Sequence, residues 1–186
     1  ELSSKLQAAA SRHAVLSEMT RDMEGYNQAV RRAMQYAKQR GMSGVKGVLA
    51  QLMSVPQRYE TAIDMALGAA QQNIVTDTEE TAKELINYLR QNRMGRATFL
   101  PLSVIQGRTL RETGLDTSRG FVGIASRLVR FEERYTNIFH NLLGRTVVAE
   151  SLSDAVRMSK ASGNSLRIVT LDGQLINAGG SMTGGS

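Results

Sequence analysis

The chain has 186 residues, a formal net charge of +6, 41% hydrophobic and 5% aromatic residues, and neither Cys nor Trp. The length suits one domain, or one domain with an extension, and the apolar share supports a packed core, which excludes wholesale disorder. Zero Cys excludes a disulfide scaffold, thiolate metal sites and a thiol nucleophile, and is consistent with a reducing, cytoplasmic setting. No uninterrupted apolar run approaches the roughly 18–20 residues of a membrane span. The chain starts at Glu1 without Met or a charged-then-apolar leader, so it reads as an excerpt of something longer. The patterns HExxH, GxSxG, GxGxxG and the phosphate-binding P-loop are absent, and two His leave little room for His chemistry. The expectation is accordingly no catalytic residue, no metal site, no cofactor and no membrane partner.

Residues 1–40 contain no Pro, and Gly25 is their only Gly. Apolar residues recur there in steps of three and four, and Leu2, Ala9, Leu16, Met23, Val30 and Ala37 keep a seven-residue register. A stripe that narrow is a coiled-coil seam rather than the broad face of a globular helix. His13 falls on the seam and reads as a tolerated polar position, not a metal ligand. Such a helix would extend roughly 60 Å at 1.5 Å per residue, and the remaining sequence offers no second helix of that length. The seam is therefore expected to pack on another subunit or on the same chain beyond Ser186; the alternative is a long helix folded onto its own domain.

After Gly41 the periodicity changes to α/β. Val45–Leu52 reads as a strand, Arg58–Gly68 as a helix, Asn73–Thr76 as a short strand and Thr78–Asn92 as an amphipathic helix. Asp77 or Thr78 is placed to cap that helix, and its acidic first turn suits the helix dipole. Arg96–Leu102 is the closing strand, ended by Pro101. The order then recurs. Arg58-Tyr59 followed by Leu67-Gly68 reappears as Arg134-Tyr135 followed by Leu143-Gly144 with the same internal spacing. Val75-Thr76-Asp77 is answered by Val148-Ala149-Glu150, Ala82 by Ala155, and the strand starting at Arg96 by one starting at Arg167. The repeat predicts two similar small α/β halves with mixed sheets, packed on each other and joined through the polar segment Ser103–Ser118. The boundaries it implies are an arm over 1–42, a first subdomain with connector over 43–118, and a second subdomain over 119–186.

Leu166–Leu171 is a strand, Asp172-Gly173 a two-residue type I′ turn, and Gln174–Asn177 the return strand. The chain then runs Gly179-Gly180-Ser181-Met182-Thr183-Gly184-Gly185-Ser186. Three readings are open: a flexible Gly/Ser coil, a phosphate-cradling loop, or a stretch that lets two backbones approach closely and an edge strand find a partner. The phosphate loop needs a Lys-Ser/Thr pair and a following helix, and both are missing.

Gly95–Leu102 (GRATFLPL), Gly120–Ser126 (GFVGIAS), Leu171–Ser186 (LDGQLINAGGSMTGGS) and Val55–Asp77 resemble the hinge domain of bacterial SMC proteins, the chromosome-condensing ATPases. The resemblance runs from about Gly41 to Ser186. Its one departure is Ala178, where Pro is often seen before the first glycine pair. It implies a two-subdomain dimerisation module at the tip of a long antiparallel coiled coil, so that two hinges join in a ring-like homodimer. Gly173, Gly179, Gly180, Gly184 and Gly185 match the glycines of the dimer contact. The resemblance also implies that the ATPase lies in a head formed by the distant chain ends, so this stretch is not itself an enzyme. The partner of the 1–40 seam becomes the returning arm of the same chain, and the setting becomes cytoplasmic and nucleoid-associated.

The positive charge is uneven. No acidic residue lies between Gly25 and Tyr59, where Arg31, Arg32, Lys38, Arg40, Lys46 and Arg58 occur, nor between Leu85 and Arg111, where Arg90, Arg93, Arg96, Arg108 and Arg111 occur. Such stretches attract phosphates without regard to base sequence and in a salt-sensitive way, although scattered basic residues are more often an ordinary solvated face. The scarcity of aromatics argues against base stacking. The hinge resemblance makes Arg31, Arg32, Lys38, Arg40 and Lys46, at the junction of coil and hinge, the candidate contacts for weak, sequence-independent DNA binding. Two rival functions remain: a stand-alone nucleic-acid-binding module, and a small enzyme with an anion site using Asp77, Glu150 or Asp172, each more simply a cap or turn residue.

Overall fold

The computed structural model describes residues 24–111 and 114–186. Its first element is helix α1 (Glu24–Gln39). Strand β1 (Val45–Val48), a 3-10 turn at Leu49–Leu52, strand β2 (Met53–Ser54), a second 3-10 turn at Gln57–Tyr59 and helix α2 (Glu60–Leu67) follow. Strand β3 (Ile74–Thr76), helix α3 (Glu79–Gln91) and strand β4 (Phe99–Pro101) complete the first half. The same order returns as β5 (Phe121–Ile124), a 3-10 turn, β6 (Arg130–Phe131), a 3-10 turn, α4 (Thr136–Leu143), β7 (Thr146–Ala149), α5 (Leu152–Ala161) and β8 (Arg167–Thr170). Strands β9 (Leu175–Ile176) and β10 (Met182–Thr183) have no counterpart in the first half.

The sheets make the duplication explicit. The first has the order β1-β3-β4 and the second β10-β9-β8-β7-β5. In each half the first strand is antiparallel to the second (β1 to β3, β5 to β7), with a register irregularity at Val45/Gly47 and at Phe121/Gly123. In each half the next pairing is parallel, β3 to β4 and β7 to β8. The two copies meet where β2 pairs antiparallel with β6, Met53 opposite Phe131 and Ser54 opposite Arg130.

The helix starts repeat as well. Thr78 caps α3 by accepting from the Thr81 N–H, and Ser151 caps α5 by accepting from the Asp154 N–H. Each cap satisfies a backbone donor that the first helical turn otherwise leaves unpaired. The Gly44 carbonyl accepts from the Asp77 N–H and the Gly120 carbonyl from the Glu150 N–H, both at 2.8 Å. A Cβ at Gly44 would meet the Asp77 carboxylate at 2.5 Å, and one at Gly120 would meet Asp154 Cγ at 2.2 Å, so each helix start is pressed against bare backbone.

Side-chain alternation along the strands divides the core into layers. On the outer face of the first sheet, Ile74 packs with Leu85 and Leu89 of α3 and with Ala29, Val30, Ala33 and Ala37 of α1. On the outer face of the second sheet, Val147, Ala149 and Ile168 pack with Ala155 and Met158 of α5. Between the sheets, Val75 and Leu100 from one half and Val148 and Val169 from the other close on α2 and α4, with Ile63, Leu67, Ile138, Phe139 and Leu143 fully or nearly fully buried. The central core therefore belongs to both halves.

The structure redraws four expectations. The run Val45–Leu52 is not one strand: pairing with β3 ends at Val48, the Leu49 N–H makes a last in-register bond to the Asn73 carbonyl at 2.8 Å, and Leu49–Leu52 then winds into a 3-10 turn. The Asp172-Gly173 turn is not type I′. The Thr170 N–H reaches the Gln174 carbonyl at 2.8 Å across three loop residues, and only Gly173 of the pair takes a positive φ, +89°. That is the longer hairpin form, a turn closed by a glycine bulge, in which Asp172 keeps an ordinary backbone. The connector, expected only as a polar joint, is tied down over residues 106–110. The Asn141 side chain donates to the Gln106 carbonyl (2.9 Å), the Gly107 N–H donates to Asn137 Oδ1 (3.2 Å), and the Leu110 N–H donates to the Gly144 carbonyl (2.9 Å), which straps it along α4. Finally, the seam positions Val30 and Ala37, 4% and 5% exposed, pack on α3 of their own domain rather than on an outside helix. Leu2, Ala9, Leu16, Met23 and His13 lie outside the described residues.

Candidate functional site

The glycine-rich end folds as a hairpin on the margin of the second sheet. β9 is antiparallel to β8, with Ile176 opposite Ile168, and β10 is antiparallel to β9, with Met182 opposite Ile176 and Thr183 opposite Leu175. The Asn177 N–H donates to the Ser181 carbonyl (2.8 Å) and the Gly180 N–H to the Asn177 carbonyl (3.0 Å), the same three-residue loop pattern as at 170–174. Gly179 and Gly180, with φ of +93° and +103°, make that loop possible, because side-chain-bearing residues rarely take this region. The Gly179 N–H is anchored on the Asn164 carbonyl at 2.7 Å.

β10 ends the strand order, so among the described residues its outer edge pairs with nothing. Hydrogen-bonded and non-bonded pairs alternate along an antiparallel ladder. Because Asn177 and Ser181 are bonded, the adjacent Ile176–Met182 pair is of the non-bonded kind, and the Met182 N–H and C=O face outward. The Met182 side chain is 55% exposed. This is a short strand edge with a free donor, a free acceptor and an apolar side chain.

The five singled-out glycines divide in two. Gly179 and Gly185 have nothing within 4 Å of where a Cβ would stand, and the nearest atom to that point on Gly180 is Asn164 Cγ at 3.9 Å. Among the described residues nothing demands their bareness, apart from the positive φ. Gly184 and Gly173 are instead held internally. A Cβ on Gly184 would lie 2.0 Å from Gln174 Oε1, which accepts from the Gly185 N–H at 2.8 Å. A Cβ on Gly173 would lie 3.0 Å from Thr61 Cγ2 on α2, so this glycine fits the second half against the first. Sequence reasoning missed Gln174, Asn164 and Met182. The Gly163-Asn164 dipeptide after α5 was the available signal for Asn164, whose φ is +61°.

The candidate nucleic-acid contacts lie at the other end of the chain. Arg31 and Arg32 are exposed and line a shallow cleft of about 230 Å3 with Gln28 and Gln35. Lys38 is exposed at the rim of a separate, mainly apolar cleft of about 500 Å3 formed with Met34, Gln35, Ala37, Gly41, Met42, Ser43 and Val45. Arg40 sits over the Tyr36 ring at 5.2 Å, and Tyr36 stacks on Tyr88 of α3 at 3.9 Å. Lys46 is half-buried and donates to the Ser43 carbonyl at 3.1 Å. The structure thus brings Arg31 and Arg32 together and gives Arg40 and Lys46 local partners.

Asp77, Glu150 and Asp172 fall on three different loops. Asp77 accepts from the Thr81 hydroxyl and the Thr78 N–H, both at 2.6 Å, and the Thr81 bond foremost holds its carboxyl below the usual range. Asp154, beside Glu150, is likewise lowered, first by the Arg157 guanidinium at 2.7 Å and then by the Ser151 hydroxyl. Asp172 accepts from the Thr170 hydroxyl inside its own turn. Asp77, Asp154 and Asp172 are thus each absorbed by their own cap or turn. Among the described residues no three metal-ligating side chains cluster, and no helix is long and apolar enough to cross a membrane.

Comparison with known proteins accounts for this duplicated architecture. Residues 42–159 match the SMC proteins Flexible Hinge Domain. The chain is 45% identical over 184 residues to the chromosome partition protein Smc of Bacillus subtilis, and 44% identical over 191 residues to that of Desulfitobacterium hafniense. These matches cover 97% and 100% of this chain but only 15% and 16% of the relatives, so it spans about a sixth of their length. The crystal structure of an asymmetric dimer of the Geobacillus stearothermophilus SMC hinge domain superposes with a TM-score of 0.82 at 42% identity, covering 97% of this chain and 74% of that one. The Pyrococcus furiosus SMC hinge domain superposes with a TM-score of 0.74 at 29% identity, covering 94% and 88%. With two β-β-α-β-α-β halves sharing one core, a matched family model over most of the chain and the same fold in solved hinges, the chain belongs to the SMC hinge domain family.

Proposed function

We propose that this chain is the homodimerisation hinge of an SMC protein, joining two coiled-coil arms in chromosome condensation and segregation at the nucleoid. The observation that carries the reading is the edge of β10. Gly179 and Gly185 leave open space beside a strand whose Met182 N–H and C=O face outward. A second copy laid along that edge would gain backbone hydrogen bonds and cover an exposed Met. One arm joins the body at α1, and the returning arm is its partner in the coil. ATP binding and hydrolysis belong to other parts of the full-length protein. Arg31 and Arg32, with Lys38, Arg40 and Lys46 nearby, add weak contact to DNA phosphates, as exposed guanidinium groups do irrespective of base sequence.

Sedimentation velocity at several concentrations tests the dimer. Met182→Pro removes the outward donor without touching the bonds that β10 makes to β9, and proline on a strand edge blocks pairing. The wild-type chain is expected to sediment as a concentration-dependent dimer, and Met182→Pro as a folded monomer with an unchanged circular dichroism spectrum. A variant that dimerises with wild-type affinity removes the β10 edge from the interface; a wild-type chain that stays monomeric at all concentrations removes the dimer.

A further inference from the structure

A second basic cleft lies away from α1. Val104, Ile105, Gln106 and Arg108 of the connector, with Asn141 and Arg145 at the end of α4, enclose about 290 Å3. Its two arginines come from two acid-free stretches, Leu85–Arg111 and Arg134–Ala149, brought together only by folding. Both are exposed, and neither pairs with a carboxylate among the described residues. The backbone under them is fixed. A Cβ on Gly144 would lie 1.9 Å from the Arg108 carbonyl oxygen, and one on Gly107 would lie 2.7 Å from His140 Cβ. The connector therefore lies flush on α4, and its three hydrogen bonds to that helix hold it there.

From this we infer that the connector–α4 cleft is a second contact site for the sugar–phosphate backbone of duplex DNA. Two guanidinium groups on an immobile base bind phosphate with little ordering penalty, because the main chain carrying them is already set. Val104, 44% exposed, supplies an apolar surface beside that charge, which suits the face of a deoxyribose and has no role toward a free inorganic anion. No aromatic side chain lines the cleft, so it offers no platform for stacking a base. The inference rests on the nucleic-acid part of the proposed function but places a contact that α1 does not provide.

The test is binding of a labelled 30-base-pair duplex to the dimeric chain, by fluorescence anisotropy across a series of salt concentrations. Each duplex phosphate contact contributes a slope of about −0.9 to log K against log salt. Arg108→Ala with Arg145→Ala is expected to flatten the slope by about 1.8. Lys83→Ala with Arg90→Ala, an equal charge change on exposed positions of α3, is expected to flatten it less. Arg31→Ala with Arg32→Ala is expected to remove its own share, additively with the cleft pair. Sedimentation and circular dichroism confirm that each variant is still a folded dimer. If the cleft variant keeps the wild-type slope while the α1 variant loses its share, the cleft is refuted and DNA binding at α1 stands. Equal flattening by the α3 pair, or loss of the dimer in the cleft variant, also refutes the site. Absence of duplex binding by the wild-type chain refutes both. If excess inorganic phosphate at matched ionic strength displaces the duplex from the wild-type chain but not from the cleft variant, the cleft is a free-anion site and the backbone assignment falls.

Discussion

Phe139 offers the sharpest test of how the two halves are joined. It is fully buried on α4, stacks on Phe131 of β6 at 4.4 Å with an interplanar angle of 14°, and belongs to the same cluster as Ile63 and Leu67 of α2. A buried Phe takes about 150–250 Å2 out of water, which at about 25 cal/mol/Å2 is roughly 4–6 kcal/mol as an upper bound. Phe139→Ala keeps the Cβ but leaves a cavity and ends the ring stacking, so a loss of about 3–5 kcal/mol follows. For a domain of this size, about 2–4 °C per kcal/mol gives a fall in Tm of roughly 6–20 °C. The shared core adds a qualitative demand: the first half must be destabilised as much as the second. Urea unfolding should be followed by amide exchange on β3 and β4, which reports the first sheet, and on β7 and β8, which reports the second. Both probes should move together to one lower midpoint. If the variant loses protection in the second sheet while β3 and β4 keep their wild-type midpoint, the halves are separate folding units and the shared-core argument fails.

The two helix caps and the two lowered carboxylates give further expectations. Thr78→Ala and Ser151→Ala should each cost about 1 kcal/mol, a Tm decrease of roughly 2–4 °C; a pair of unchanged melting curves would show that these caps carry no weight. Asp77 and Asp154 are held below the ordinary carboxylate range in the folded chain, so the stability they add is complete above about pH 4, the unfolded value, and is lost as pH falls further through their lower folded values. The urea midpoint should drop below pH 4 in the wild type and drop less in Asp77→Asn with Asp154→Asn; equal acid sensitivity in both proteins would contradict the assignment.

Some of this molecule is written in short-range pattern and some is not. The RY-to-LG spacing repeats at 58–68 and 134–144 because both segments build the same inner helix against the same core, so the duplication could be read directly. The cap of α3 was legible to within one position, Asp77 or Thr78, because capping is local chemistry, and the structure gives it to Thr78. The end of β1 was not, since β1 stops where its partner β3 begins at Ile74, 26 residues beyond Val48 in chain order. The glycine-rich end looked like linker, close-contact stretch or phosphate loop, and only the anchor on Asn164 and the pairing with β9 settle it as a hairpin. The Arg108–Arg145 cleft joins positions 37 apart in the chain through a connector that looked featureless, because side-chain bonds from Asn137 and Asn141 leave no periodic trace.

The layering of β3 has a mechanical corollary. Its Ile74 is locked among α1 and α3, while the neighbouring Val75 is locked into the core that both halves own. A tug arriving along α1 thus passes through one strand into the middle of the molecule and out to the far sheet without meeting a slack joint. One three-residue strand is thus the shared wall of two cores, and a load entering at α1 is carried by both sheets at once.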